Sequence, residues 1–179
     1  MNYPVPNFLG GDRGSGSYRS YPLFTAKSEV KLLPTAGFVH SHAEKPFFKF
    51  FDVDGNYQSA IYIEFDIVEL TPEHIDYAIE NSNPMIDLES SVKNAKEIPN
   101  YWPVWEDYAI DENGYIWVKM NINLPHEREW WVFTQTGELL IQDSLEELDQ
   151  IRHIGSDYLF SSYKVDGVTE LRRFKYSIE

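Results

Sequence analysis

The stretch EWWVFTQTGELLIQ, residues 129–142, sets two runs of bulky apolar residues on either side of a short polar turn that closes on Gly137. Run, turn and run, with a glycine free to take a positive φ, is the pattern of a β-hairpin. The stretch FFKFFDVDGNYQSAIYI lines up with EWWVFTQTGELLIQDSL without gaps, Phe51 near Phe133 and Gly55 on Gly137. A different hairpin, YAIDENGYIWVKM, lies between them and turns at Asn113-Gly114; VKLLPTAGFVHSH before it and IRHIGSDYLFSSY after it are its cousins. Two hairpin types therefore alternate along the chain. Gly137 follows Gly55 by 82 residues. Subtracting an inserted segment of about 35–40 residues leaves roughly 40–45, the size of one four-stranded propeller blade.

That arithmetic predicts an all-β fold with a helical insertion. The expected fold is a partial β-propeller of about three four-stranded antiparallel blades. A blade buries both faces against its neighbours, so its strands read as apolar on both sides. The 12 Tyr, 11 Phe and 5 Trp of this 179-residue chain suit such strands. The blades occupy residues 21–179, after a Pro-, Gly- and Ser-rich segment, 1–20, that reads as irregular. The last blade lacks its outermost strand, and the first is nearly complete.

The insertion spans about 71–98. In LTPEHIDYAIENS, Thr71 is the N-cap, Pro72 takes the first helical position and Glu73 lies in the first turn. Ile75, Ala78 and Ile79 share one helical face. Pro84 separates this helix from a second helical piece, MIDLESSVKNAKEI.

The formal net charge of −14 argues against nucleic acid as a partner. With no cysteine, disulfides, thiolate chemistry and cysteine-ligated zinc are excluded, while the compartment stays open. No signal-peptide pattern opens the chain, and no window approaches the length of a membrane-spanning helix.

The order YPLFTA, FFDVDGNYQSAIYIEFDIVELTPEHIDYAIENS, IPNYWPVWEDYAIDENGYIWVKM, WWVFTQTGELL, IRHIGSDYLFSSYKVDGVTELRRFKY resembles the C-terminal half of bacterial six-bladed propeller proteins related to the NHL-repeat propellers. The resemblance covers residues 21–179 and implies an exported or envelope-associated protein without a general activity. It also leads to the expectation that the chain is a piece of a longer reading frame. The alternative is that two copies close a ring by symmetry, because open blade edges invite self-association.

Candidate chemistry is sparse. His40, His42 and Glu44 are spaced by two, which on one strand would aim all three at one face as zinc ligands; a solvated strand end is the better reading, with Glu44 already in the turn. Asp52, Asp54 and Asn56 look like a calcium loop, but Tyr57 and Ile63 stand where glycine and glutamate are needed, so a hairpin turn is the better reading. GGDRGSGS, 10–17, lacks the Lys-Ser/Thr ending of a phosphate loop and reads as a connector. Among the tryptophans, core packing is the expectation for at least three, while Trp102 and Trp105, in a Pro-flanked loop, are the candidates for a ligand-binding rim.

No catalytic triad, paired-acid site or cofactor motif emerges, and no cofactor is expected. The leading expectation is a non-catalytic scaffold that binds a protein or a small molecule at the channel mouth, with the insertion as an interaction element. The alternative is a propeller hydrolase or lyase with its active site at the same mouth.

Overall fold

Strands β1 (Ser28–Leu32), β2 (Phe38–His42), β3 (Phe47–Phe51) and β4 (Tyr57–Tyr62) form one antiparallel sheet in chain order. After the helix α1 (Pro72–Glu80), β5 (Trp105–Ile110), β6 (Ile116–Asn123), β7 (Glu127–Phe133) and β8 (Leu139–Asp143) repeat the arrangement. A third sheet holds β9 (Gln150–Ile154), β10 (Tyr158–Val165) and β11 (Val168–Lys175). The computed structural model describes residues 26–80, 89, 92, 98–123, 127–144, 150–165 and 168–178. The segment 1–20, the GGDRGSGS stretch, the break at Pro84 and most of the second helical piece lie outside the described residues.

The fold is thus all-β with a helical insertion, built from three blade-like sheets. Between sheets the strands approach one another from β1 to β5 to β9. The first strand of each sheet is innermost, and the sheets fan outward from there. The first sheet has four full strands, where the sequence led us to expect an incomplete one. Its last strand ends at Tyr62, five residues short of the apolar run that suggested it, because the backbone turns away towards the insertion after Ile63 N–H reaches Pro46 O at 2.8 Å.

Four of the hairpin turns are copies of one another. In 33–37, 52–56, 111–115 and 134–138 the first N–H bonds the fifth carbonyl and the fourth N–H bonds the first carbonyl. The fourth residue has positive φ in each: Ala36 at 95°, Gly55 and Gly114 at 83°, Gly137 at 92°. In three turns the first side chain also accepts from the third and fifth N–H groups, through Asp52 Oδ1, Asp111 Oδ1 and Thr134 Oγ1. Leu33 has no such acceptor. The expected contrast between two hairpin types is therefore absent from these turns: DENG folds as DVDG and TQTG do. The equivalence of Gly55 and Gly137 extends to the ladders, where the register shifts at Phe50/Phe51 and again at Val132/Phe133.

The sheets are joined by side chains. Phe48 from the first sheet packs on Trp105 and Tyr108 of β5, with ring centroids 6.4 and 5.1 Å apart. Trp105 Nε1 donates to Ser41 Oγ at 3.1 Å, and Ser41 Oγ donates to Phe47 O at 2.7 Å. Tyr108 Oη donates towards Glu29 O and Val39 O at 3.0 and 3.1 Å, so one hydroxyl of β5 spans β1 and β2. Trp117, Trp130, Val132, Ile154 and Leu159 form the corresponding core with the third sheet. Burying a side chain of this size contributes roughly 1.5–3 kcal/mol, which dominates the docking of sheets that share no ladder.

The insertion has its own small core, Ala78 and Trp102, flanked by Val68, Leu70, Ile75 and Val92. Thr71 caps α1 as expected, its Oγ1 accepting from His74 N–H at 3.4 Å, and His74 Nδ1 accepts from Thr71 N–H at 3.1 Å. Histidine here plays the part usually taken by glutamate in a capping box. A bridge between Glu69 and Tyr101, with Leu70 N–H to Asn100 O and Trp102 N–H to Val68 O at 2.9 Å each, closes the neck of the insertion. Among the described residues no helix is long and apolar enough to cross a membrane.

Candidate functional site at the converging inner strands

Where β1, β5 and β9 draw together they enclose a cleft of about 300 Å³. Lys31, Asp107, Arg152 and His153 line it with Trp130, Tyr108 and the aliphatic Leu32, Ile110 and Ile154. Each of the three strands supplies at least one charged or titratable side chain to the lining.

Lys31 Nζ lies 3.2 Å from Glu29 Oε2 and 3.8 Å from Asp107 Oδ1, and sits 5.4 Å from the centroid of the Tyr108 ring. Burial pushes the Asp107 carboxyl above its usual range; Lys31 pulls it back and Glu29 adds to the rise. Burial, reinforced by Glu29 and Asp107, also keeps the Tyr108 hydroxyl protonated. Across the cleft, Arg152 Nε donates to Ser162 Oγ at 2.8 Å, which fixes the guanidinium against β10. His153 Nε2 is 3.7 Å from Glu112 Oε1. Trp130 is buried, and its indole N–H has no acceptor among the described residues. An orphan buried donor is uncommon, because leaving one unpaired costs about 1–3 kcal/mol.

The residues singled out from sequence stand elsewhere. Trp102 is 2 % exposed, in the core of the insertion with His74 edge-on at 5.3 Å. Trp105 is 1 % exposed, between the first two sheets. Trp102 is drawn inward by the neck of the insertion, and Trp105 opens β5 directly after Val104, whose N–H bonds to Ala43 O. His40 and His42 do share a face of β2, and Glu44 lies in the following turn. His40 Nε2 meets Ser28 Oγ at 2.9 Å, while His42 Nδ1 accepts from Glu44 N–H at 3.3 Å and lies 3.9 Å from Glu44 Oε2. Burial, with His42 and Lys49 nearby, lowers the His40 pKa. Among the described residues no three histidine, aspartate or glutamate side chains gather as a metal site. Asp52 is occupied by its turn: Oδ2 accepts from Asn56 Nδ2 and Gln58 Nε2 as well, and these bonds hold its carboxyl below the usual range.

Lys31, Asp107, Arg152 and His153 were missed because each reads as an ordinary strand charge. The available signal was positional, namely a charged pair in the first strand of every repeat: Glu29/Lys31, Glu106/Asp107 and Arg152/His153. Compared with protein-family models, curated proteins and solved structures, the chain finds no match.

Proposed function

We propose that the chain is a binding scaffold of the β-propeller type and that the cleft between β1, β5 and β9 takes a small carboxylate bearing a second polar group. The observation that carries this reading is the convergence of Lys31 from β1 with Arg152 and His153 from β9 on a single cleft. A carboxylate supplies acceptors for the guanidinium and the ammonium together, and charge-assisted bonds of this kind are the stronger ones. Asp107, on the same cleft, suits a hydroxyl or amine on the same ligand. A volume of about 300 Å³ sets the scale at a small metabolite. The six-bladed ring, the extracytoplasmic location and the kinship with NHL-type propellers belong to the same proposal; the three radiating sheets and the repeated turns support it.

The test is thermal-shift screening of the full chain against amino acids and small hydroxy acids, followed by calorimetric titration. At least one should stabilise the protein, and Arg152→Ala and Lys31→Ala should each weaken its binding at least tenfold. A screen without any stabilising acid would sink the reading, as would binding that ignores both substitutions.

A further inference from the structure

Docking between sheets follows the repeat. Turns 33–37 and 111–115 align Val30 with Tyr108, Phe38 with Ile116 and Val39 with Trp117, and turns 52–56 and 134–138 align Phe51 with Phe133. The ladders agree, since Phe38 pairs with Phe51 as Ile116 pairs with Phe133. Tyr108, Ile116 and Phe133 belong to the face by which the second sheet docks on the first, and all three are buried. Their counterparts on the first sheet point the other way, since Val39, Phe48 and Phe50 fill the core with the second sheet. On that outward face Val30 is 57 % exposed and Tyr57 58 %, beside the rings of Phe38 and Phe51 stacked with centroids 5.0 Å apart. In the third sheet the Ile154–Leu159 pair flanks its turn as Ile110–Ile116 does, which sets Phe160 at the position of Trp117 and Val39. Phe160 thus stands on the face turned away from the second sheet. It lies edge-on to Tyr158 at 5.6 Å, and the Arg173 guanidinium sits 4.7 Å from the Tyr158 ring centroid.

We infer that these two faces meet between copies. The outward face of the first sheet in one copy takes the outward face of the third sheet in a second, and the same contact made twice closes a ring of sheets from two chains. The occupant is set by contacts that the chain already makes. Val30 and Phe160 hold the positions of Tyr108 and Val39, which share the core between the first two sheets, with Tyr108 Oη reaching Val39 O at 3.1 Å. In that core a large ring is matched with a small side chain. Between copies the sizes are exchanged, Val30 being the small partner and Phe160 the large one, so the volume at the contact is kept. Arg173 brings a cation to a face carrying Phe38, Phe51 and Tyr57, a pairing that aromatic rings favour. Each contact joins unlike faces, so it is heterologous, and the assembly stops at two copies because the ring closes. The inference rests on the propeller reading of the sheets and not on the ligand of the cleft.

Sedimentation equilibrium of the full chain up to millimolar concentration should show a monomer–dimer equilibrium with no larger species. Val30→Glu and Phe160→Glu each bury a charge in both contacts, and each should weaken the dimer roughly tenfold or more. Mixing the two variants should recover part of the affinity, since one of the two contacts is then parental on both sides. The chain has no cysteine, so Val30→Cys and Phe160→Cys give unique sites for a short thiol cross-linker. The mixture of these two should yield a covalent dimer, and each alone should not. Circular dichroism separates loss of contact from loss of fold, and the cysteine pair keeps the test decisive if a charged variant is unstable. A monomer at every concentration overturns the inference. So do growth beyond two copies, a dimer indifferent to both charges, and a cross-link formed by one cysteine variant alone. The thermal-shift screen on the same samples reports on the cleft separately, so either reading can fail without the other.

Discussion

Trp117 and Tyr176 meet edge to face, ring centroids 5.0 Å apart, and both donate to the same oxygen, Asp111 Oδ2, at 3.1 and 3.4 Å. The other oxygen of that carboxylate caps the 111–115 turn. Tyr176 Oη also contacts Gly155 O, so a turn of the second sheet and the end of β11 are held by one buried acid. Asp111 is 1 % exposed, and removing it strands the Trp117 indole N–H and takes the acceptor from two backbone donors, while the Tyr176 hydroxyl keeps only Gly155 O. Asp111→Ala should therefore cost about 3 kcal/mol or more in denaturant unfolding, well beyond a lost turn cap.

Tyr108→Phe removes only the hydroxyl that reaches Glu29 O and Val39 O from the neighbouring sheet. The expected loss is about 1–2 kcal/mol, since the ring stays packed on Phe48 and Trp105. A destabilisation near zero would show that aromatic packing alone docks the first two sheets. Hydrogen exchange at Ser28–Leu32 should rise in the variant.

Ala36 holds φ 95°, where the three equivalent turns carry glycine. Ala36→Gly should raise stability by up to about 1 kcal/mol, the relief of a left-handed Cβ exceeding the added freedom of the unfolded chain. Gly37→Ala next to it should do the opposite, because a Cβ there would collide with Phe51 O. The two midpoints in urea, measured side by side, check the sign of each.

Asp107 carries a raised carboxyl pKa for which burial is the first cause. A carboxyl with a folded pKa above its unfolded value binds its proton more tightly in the folded state, so its contribution to stability falls as pH climbs from the ordinary 3.8 through the folded pKa. Asp107→Asn should lose less stability than the parent over that window. Lys31→Ala removes the cation that pulls Asp107 down, and should move its NMR titration midpoint higher still. A midpoint that stayed still would mean that Lys31 is screened by solvent, in keeping with an Asp107 side chain 48 % exposed.

The hairpins were legible because they are local. The glycine turns at Gly55, Gly114 and Gly137, and the alternation around them, are properties of short windows that tertiary contacts do not override. Thr71 and Pro72 were legible for the same reason, as capping is decided within one turn. Trp102 and Trp105 were not, because whether a loop aromatic faces water depends on a neck formed by residues some thirty positions apart in sequence. The cleft charges escaped for a related reason. Lys31 and Arg152 are brought to one cleft only after three sheets have docked, and nothing in a single strand reports which of its edges is innermost.

The closed neck at Glu69 and Tyr101 gives the insertion a particular standing. To the two sheets it joins, the insertion is connected as the tip of a hairpin would be, since the chain leaves and returns at the Glu69–Tyr101 rung. Among the described residues, Ala78 of α1 shares a small core with Trp102, just past the neck. Such a segment behaves as a cassette: it can be trimmed to a tight connection, or exchanged for a different one, while the ladders on either side keep their register.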